Sequence, residues 1–185
     1  MTIAIISASV REGRKSHRVA LFFKHYLTTV YKCKVELVDL KEYNFPVFEE
    51  RLRLQKNPSE TVKEFASIIT NADGVLIVTP EYNGGYPASL KNCIDLLYDE
   101  WHRKPVCIST VSDGVFGGAQ VITSLQFSLW KIRAWVVPAM FPVPKVNETF
   151  REDGTPVDEN IHKRAKIFLD ELLWCITANE KMKDM

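Results

Sequence analysis

Ser9-Val10-Arg11-Glu12-Gly13-Arg14-Lys15-Ser16-His17-Arg18 packs hydroxyls, cations and a glycine into one short stretch. It follows the apolar run Ile3-Ala4-Ile5-Ile6 and leads into an amphipathic segment, Val19 to Tyr31. A strand that empties through such residues into a helix start is suited to holding a phosphate. The first N–H groups of the helix point outward with partial positive charge, and hydroxyls and guanidinium groups add donors. Arg11, Arg14, Lys15 and Arg18 face only Glu12 here, yet the chain's formal net charge is +1. The positive charge is local, which points to one small anionic group rather than a polyanion. Taken alone, the stretch also fits a solvated basic turn.

Two further stretches carry ligand chemistry. Thr79-Pro80-Glu81-Tyr82-Asn83-Gly84-Gly85-Tyr86-Pro87 is rigid at both prolines, aromatic and polar, with Asn83-Gly84-Gly85 permitting positive φ and close backbone approach. It could offer a flat ligand an aromatic or main-chain face, or be a tight turn whose tyrosines cover a sheet end. Asp113-Gly114-Val115-Phe116-Gly117-Gly118 exposes main-chain amides and is a weak signal by itself. Together the first stretch suits phosphate and the other two suit a planar heterocycle with polar edges, which describes a mononucleotide with an aromatic ring.

Other chemistries lack their residues. The first stretch has no G-x-G-x-x-G and no G-x-x-x-x-G-K-[ST], and the chain has no G-x-S-x-G elbow. His17, His25, His102 and His162 have no metal-ligand spacing. Cys33, Cys93, Cys107 and Cys175 are far apart, form no C-x-x-C pair and sit in apolar runs, so they read as buried, reduced packing residues.

The elements that must position these stretches alternate between strand and helix patterns. Strands are predicted at Ile3–Ser7, Lys34–Leu40, Gly74–Thr79, Val106–Thr110 and Trp135–Met140, the last ended by Pro138 and Pro142. The continuously apolar Gly74–Thr79 predicts a strand covered on both faces, whereas Lys34–Leu40 alternates as an edge-side strand would. Helices are predicted at about Ser16–Tyr31, from an Asn57-capped start with Pro58 at its first position, at Pro87–Trp101, at about Gly118–Ile132, and from Thr155-Pro156 onward. The core stripe of Pro87–Trp101 is Leu90, Ile94, Leu97 and Tyr98; that of the last helix includes Leu172, Leu173 and Ile176. The pattern implies a parallel sheet with helices on both faces, and an order 2-1-3-4-5 opens a crevice beyond strands one and three. Loops 7–16 and 79–87 meet there.

At 185 residues, 46% apolar and 25% charged, the chain fits one domain spanning residues 1–185. Near neutrality argues against a nucleic-acid or membrane-surface partner. With no signal peptide and no apolar run of transmembrane length, a cytoplasmic protein is expected.

The chain resembles the NAD(P)H-dependent FMN reductase family, flavodoxin-like proteins that include quinone, azo-dye and chromate reductases. The family's G-S-x-R followed by a Ser-containing helix start is similar to Ala8-Ser9-Val10-Arg11 and Ser16. Its P-E-Y-N with a later P-x-x-L-K-N-x-I-D is similar to Pro80-Glu81-Tyr82-Asn83 and Pro87-Ala88-Ser89-Leu90-Lys91-Asn92-Cys93-Ile94-Asp95. The likeness runs from strand one to the Asp153-Gly154 turn and the last helix. One departure is Ala8, where the family has glycine; its methyl group bears on the phosphate turn rather than on the fold.

The resemblance implies an α/β, flavodoxin-like three-layer α/β/α sandwich with a five-stranded parallel sheet in order 2-1-3-4-5. It implies FMN as cofactor, NADPH or NADH as electron donor and a small-molecule electron acceptor. Ser9, Arg11, Ser16, His17 and Arg18 are expected at the FMN phosphate. Pro80, Glu81, Tyr82 and Asn83 are expected along the isoalloxazine, and Ser112 to Gly118, including Gly114 and Gly117, at its pyrimidine edge. The hydride passes from nicotinamide C4 to flavin N5 and on to the acceptor, so no side chain is singled out as a catalytic acid or base. A homodimer or homotetramer is implied, with Tyr43-Asn44-Phe45-Pro46-Val47-Phe48 and Trp101 as interface contributors, or else as an ordinary loop packed on its own sheet. The alternative function is a flavodoxin-like FMN-binding electron carrier without NAD(P)H oxidation; the +1 charge and basic loop speak against it. A degenerate binding or scaffold protein has only Ala8 in its favour.

Overall fold

In the computed structural model, which describes residues 1–183, five strands form one parallel sheet in the order β2-β1-β3-β4-β5. They are β1 (Thr2–Ser7), β2 (Lys34–Asp39), β3 (Gly74–Pro80), β4 (Pro105–Val111) and β5 (Trp135–Val143). Pairing is parallel throughout, with Ile5 beside both Leu37 and Leu76 and Ile77 beside Ile108. Successive side chains point to opposite faces, so Ile3 and Ile5 enter one core and Ala4 and Ile6 the other. The interior strands β1, β3 and β4 are covered on both sides, which is why their sequences are apolar without alternation.

Helices α1 (Ser16–Thr29) and α7 (Asn160–Lys183) cover one face, where Phe23 meets Phe141 and Phe168 at ring distances of 5.1 and 5.6 Å. Helices α3 (Glu60–Asn71), α4 (Ala88–Leu96) and α5 (Gln120–Lys131) cover the other. Two short helices, α2 (Leu40–Tyr43) and α6 (Val146–Thr149), follow β2 and β5. Each wholly buried Phe, Ile or Leu contributes roughly 1.5–3 kcal/mol by leaving water. No helix among the described residues is long and apolar enough to cross a membrane.

Several boundaries differ from those the sequence predicts. Helix α3 is capped by Ser59, whose Oγ accepts the Val62 N–H at 3.3 Å, so Pro58 precedes the cap and Asn57 is not it. The segment Pro87–Trp101 is α4 followed by an extended Leu97 and a 3-10 turn, Asp99–Trp101. Strand β5 runs past both prolines to Val143. As the sheet edge it tolerates missing N–H donors, and Pro138 falls in the register shift between the pairs Val106–Val136 and Ile108–Met140. Helix α7 begins only at Asn160, whose N–H bonds Asp158; Pro156 instead bridges to Phe150. Leu173 and Tyr98, expected inside, are partly exposed.

Trp101 is fully buried and its indole N–H donates to the Ile94 carbonyl at 3.2 Å, which corrects its expected place at a subunit interface. Tyr43, Phe45 and Phe48 pack against the chain's own core, held by Asn92, whose amide donates to Pro46 O at 2.7 Å and accepts from Phe48 N. All four cysteines are buried and unpaired, and burial pushes the Cys93 and Cys107 thiols well up from their usual range.

Candidate functional site

A cleft of about 260 Å³ opens beyond the carboxyl ends of β1, β3 and β4. The loops that leave these three strands form its walls, as the strand order requires.

The first wall comprises Ser9, Arg11, Glu12, Gly13, Arg14, Lys15 and Ser16. Ala8 extends the β1–β3 ladder by one bond, its N–H donating to Val78 O at 3.0 Å, while its carbonyl accepts the Ser89 hydroxyl at 2.7 Å. Ala8 is fully buried in the core on the α3–α5 side of the sheet and does not line the cleft. Helix α1 then starts with Lys15 at its cap position and no side chain capping its free amides. Ser16 is buried, and its Oγ is the one buried side-chain polar atom without a hydrogen-bond partner among the described residues. Such a group costs about 1–3 kcal/mol until something accepts or donates to it. An anion on the helix N-terminus would do both jobs, taking the amides and the hydroxyl together.

The loop's cations are unevenly available. Arg14 makes a two-nitrogen pair with Asp39 and also donates to Ser9 O at 3.0 Å. Lys15 Nζ lies 2.7 Å from Asp113 Oδ2 across the cleft. Arg18 leaves the cleft, donating to Phe150 O at 3.2 Å with Glu152 at 3.6 Å. Glu12 bonds Lys41, which holds its carboxyl below the usual range. Arg11 alone among the four has no carboxylate partner among the described residues; its guanidinium lies 5.6 Å from the centroid of the Tyr82 ring. His17 is outside the cleft lining, with Nδ1 3.0 Å from Ser7 Oγ and 3.5 Å from Asp39 Oδ2. Burial lowers its pKa, against the opposing pull of Asp39.

Pro80, Glu81 and Tyr82 form the second wall. Tyr82 and Gly85 exchange backbone bonds of 2.8 and 3.0 Å around Asn83 and Gly84, both at positive φ, the pattern of a type I′ turn. Asn83 therefore sits at the exposed turn tip, outside the cleft lining. The third wall is Val111, Ser112 and Asp113. Gly114 and Gly117 lie behind it: Gly114 O accepts Lys145 N, and Gly117, at φ +62°, passes so close to Val143 and Pro144 that a Cβ would sit 2.9 Å from Pro144 N.

The structure thus brings Ser9, Arg11, Ser16, Pro80, Glu81, Tyr82 and Ser112 to one cleft and leaves His17, Arg18, Asn83, Gly114 and Gly117 around it. Glu12, Gly13, Arg14, Lys15, Val111, Asp113 and Val146 also line it. Most of these are loop neighbours of the expected residues, but Val146 comes from α6 and nothing in its local sequence marks it. Ser9 Oγ and Tyr82 OH, 2.7 Å apart, join the first two walls. Hydroxyls, one uncommitted guanidinium and free helix amides fit a phosphate monoester, with an aromatic wall beside it. Among the described residues no cluster of His, Cys, Asp or Glu is placed to hold a metal.

Residues 1–148 match the profile of the NADPH-dependent FMN reductase family. The chain is 33% identical over 194 residues to the NAD(P)H-dependent FMN reductase LOT6 of Saccharomyces cerevisiae, covering 96% of each chain. It is 42% identical over 125 residues to a quinone reductase of Escherichia coli strain K12, covering 65% of this chain and 64% of the other. Among solved structures it superposes on FerB, a flavoenzyme NAD(P)H:(acceptor) oxidoreductase from Paracoccus denitrificans. The TM-score is 0.79 at 25% identity, over 96% of this chain and 98% of that one.

Proposed function

The chain belongs to the NADPH-dependent FMN reductase family, and from that premise we propose how its cleft serves an NAD(P)H-dependent reductase of FMN and quinones. The observation that carries the assignment of residues is the buried, unpartnered Ser16 hydroxyl at the start of α1, on the same wall as the uncommitted Arg11. Ser16, the α1 amides, Ser9 and Arg11 bind the phosphate of FMN. Pro80, Glu81 and Tyr82 border the ring system, and Ser112 and Asp113 offer polar groups to its edge. His17 and Arg18 hold the loop from behind, and Asn83, Gly114 and Gly117 shape the turns.

FMN, when bound, supplies the ring that accepts a hydride from NAD(P)H and passes electrons on. The protein's part is to orient the ring against the wall of Pro80, Glu81 and Tyr82. Quinones and similar small molecules are the electron acceptors. The test is anaerobic mixing of the FMN-loaded protein with NADPH or NADH while flavin absorbance is followed. Rapid bleaching is expected; a bound flavin that stays oxidised with both donors would overturn the reading and leave an electron carrier.

We infer a homodimer or homotetramer built through a second copy on α5. No charged residue occurs from Gln120 to Trp130, while Phe127 and Trp130 are 62% and 65% exposed. Lys131 Nζ lies 5.6 Å from the Trp130 ring centroid at the end of this face, and its apolar remainder is compatible with itself across a two-fold axis. Light scattering should give a multiple of the chain mass, reduced by Trp130→Glu to the monomer from a dimer or to the dimer from a tetramer. Four buried, unpaired thiols support a cytoplasmic setting.

A further inference from the structure

We propose that Arg14 is a positioning residue: clamped by Asp39, it fixes the Ser9 carbonyl and so shapes the phosphate loop, without itself taking the phosphate. The proposal rests on the reading above that this loop receives the phosphate of FMN. By charge alone Arg14 is one more cation in a basic loop, and only the resemblance singles out Arg11. The structure separates the two.

Both terminal nitrogens of Arg14 go to the two carboxylate oxygens of Asp39, and one of them also reaches Ser9 O at 3.0 Å. The side chains are only 13% and 12% exposed. Asp39 is itself held, capping α2 by accepting Lys41 N at 3.1 Å with one oxygen and standing 3.5 Å from His17 Nδ1 with the other. The planar fork therefore spans the last residue of β2 and the first turn of the loop after β1. Its direct load is the Ser9 peptide, whose side chain reaches Tyr82 at 2.7 Å. A phosphate that took Arg14 for itself would strand the Asp39 carboxylate in a largely desolvated place, which is far costlier than breaking an exposed pair. A lysine could match the charge of Arg14 but not the fork.

The two roles differ in the sign of one substitution. If Arg14 were a phosphate ligand restrained by Asp39, Asp39→Asn would release it and tighten FMN. If Arg14 positions the loop, Asp39→Asn loosens the clamp and weakens FMN. Riboflavin, which lacks the phosphate, reports on the ring site alone. Binding of FMN and riboflavin to Asp39→Asn and Arg14→Lys, followed by quenching of flavin fluorescence, is the test. In both variants FMN affinity is expected to fall about tenfold or more, with riboflavin changed less than about twofold. Tighter FMN in Asp39→Asn would overturn the proposal, as would an equal loss of both flavins, the mark of a general structural role. Should Asp39→Asn not fold, Asp39→Glu keeps both charges but misplaces the fork that Arg14 makes with residue 39. A selective loss of FMN there supports the clamp, and unchanged or tighter FMN overturns it. Wild-type protein that prefers FMN no more than riboflavin would refute the phosphate reading itself, a result distinct from any of these.

Discussion

Ser9 Oγ and Tyr82 OH lie 2.7 Å apart although 73 residues separate them in sequence. The bond ties the loop after β1 to the loop after β3 across the line where the strand order reverses. It makes the cleft one rigid corner rather than two independent loops. Tyr82→Phe removes only the phenol oxygen. It should cost about 0.5–1.5 kcal/mol, roughly 1–6 °C in melting temperature for a domain of this size, and should shift the visible spectrum of bound FMN. An unchanged melting temperature and spectrum would mean that the two hydroxyls do not pair in solution.

Ser16 offers the opposite trade. Its hydroxyl is buried and unpartnered within the chain, so Ser16→Ala should leave the melting temperature of the flavin-free protein unchanged or raised. The same change should weaken FMN by a factor of about 10–150, the worth of one hydrogen bond to a charged group. Titration calorimetry beside a thermal melt reads both signs; a destabilised protein with intact FMN affinity would contradict the assignment.

Arg11 is the loop cation without a carboxylate partner among the described residues. Arg11→Ala should therefore cost little folding stability and about 1.5–3 kcal/mol of FMN binding, a loss on the order of 10- to 150-fold. Unchanged affinity would show that the guanidinium stays on Tyr82 and faces solvent.

The sheet order and the three-loop cleft were legible because they rest on local signals: the unbroken apolar run of β3, and Ser16, Arg11 and Tyr82 at loop positions where their chemistry stands out. What escaped depends on distant partners. Leu90, Ile94, Leu97 and Tyr98 keep helical spacing, yet the chain leaves the helix at Leu97 and Trp101 turns back to bond Ile94 O. Pro138 and Pro142 read as a strand end because the sequence does not say that β5 is an edge. Arg18 is expected at the phosphate, but Phe150, far along the chain, takes its guanidinium, and the charge that Arg14 adds to the loop is claimed by Asp39. Ala8 read as a burden on the phosphate turn, but its methyl group is buried in the core.

His17 carries the pH dependence of the loop's foundation. Burial, reinforced by Arg14, depresses its pKa below the ordinary 6.5, while Asp39 and Glu42 pull the other way and lose. As pH falls below 6.5 the unfolded chain takes up a proton on this imidazole before the folded protein does. More protons on the unfolded state means that stability declines with falling pH in that window, and levels off once the folded imidazole is also charged. His17→Gln loses the contact to Ser7 Oγ at 3.0 Å, so it should start less stable than wild type near neutrality. Being neutral at every pH, it has no such acid-driven decline from this position. Melting temperatures of the two proteins measured from about pH 7.5 down to about pH 5 should therefore converge as the pH falls. Divergence would mean that Asp39 favours the imidazolium in the folded state, reversing the sign of the shift.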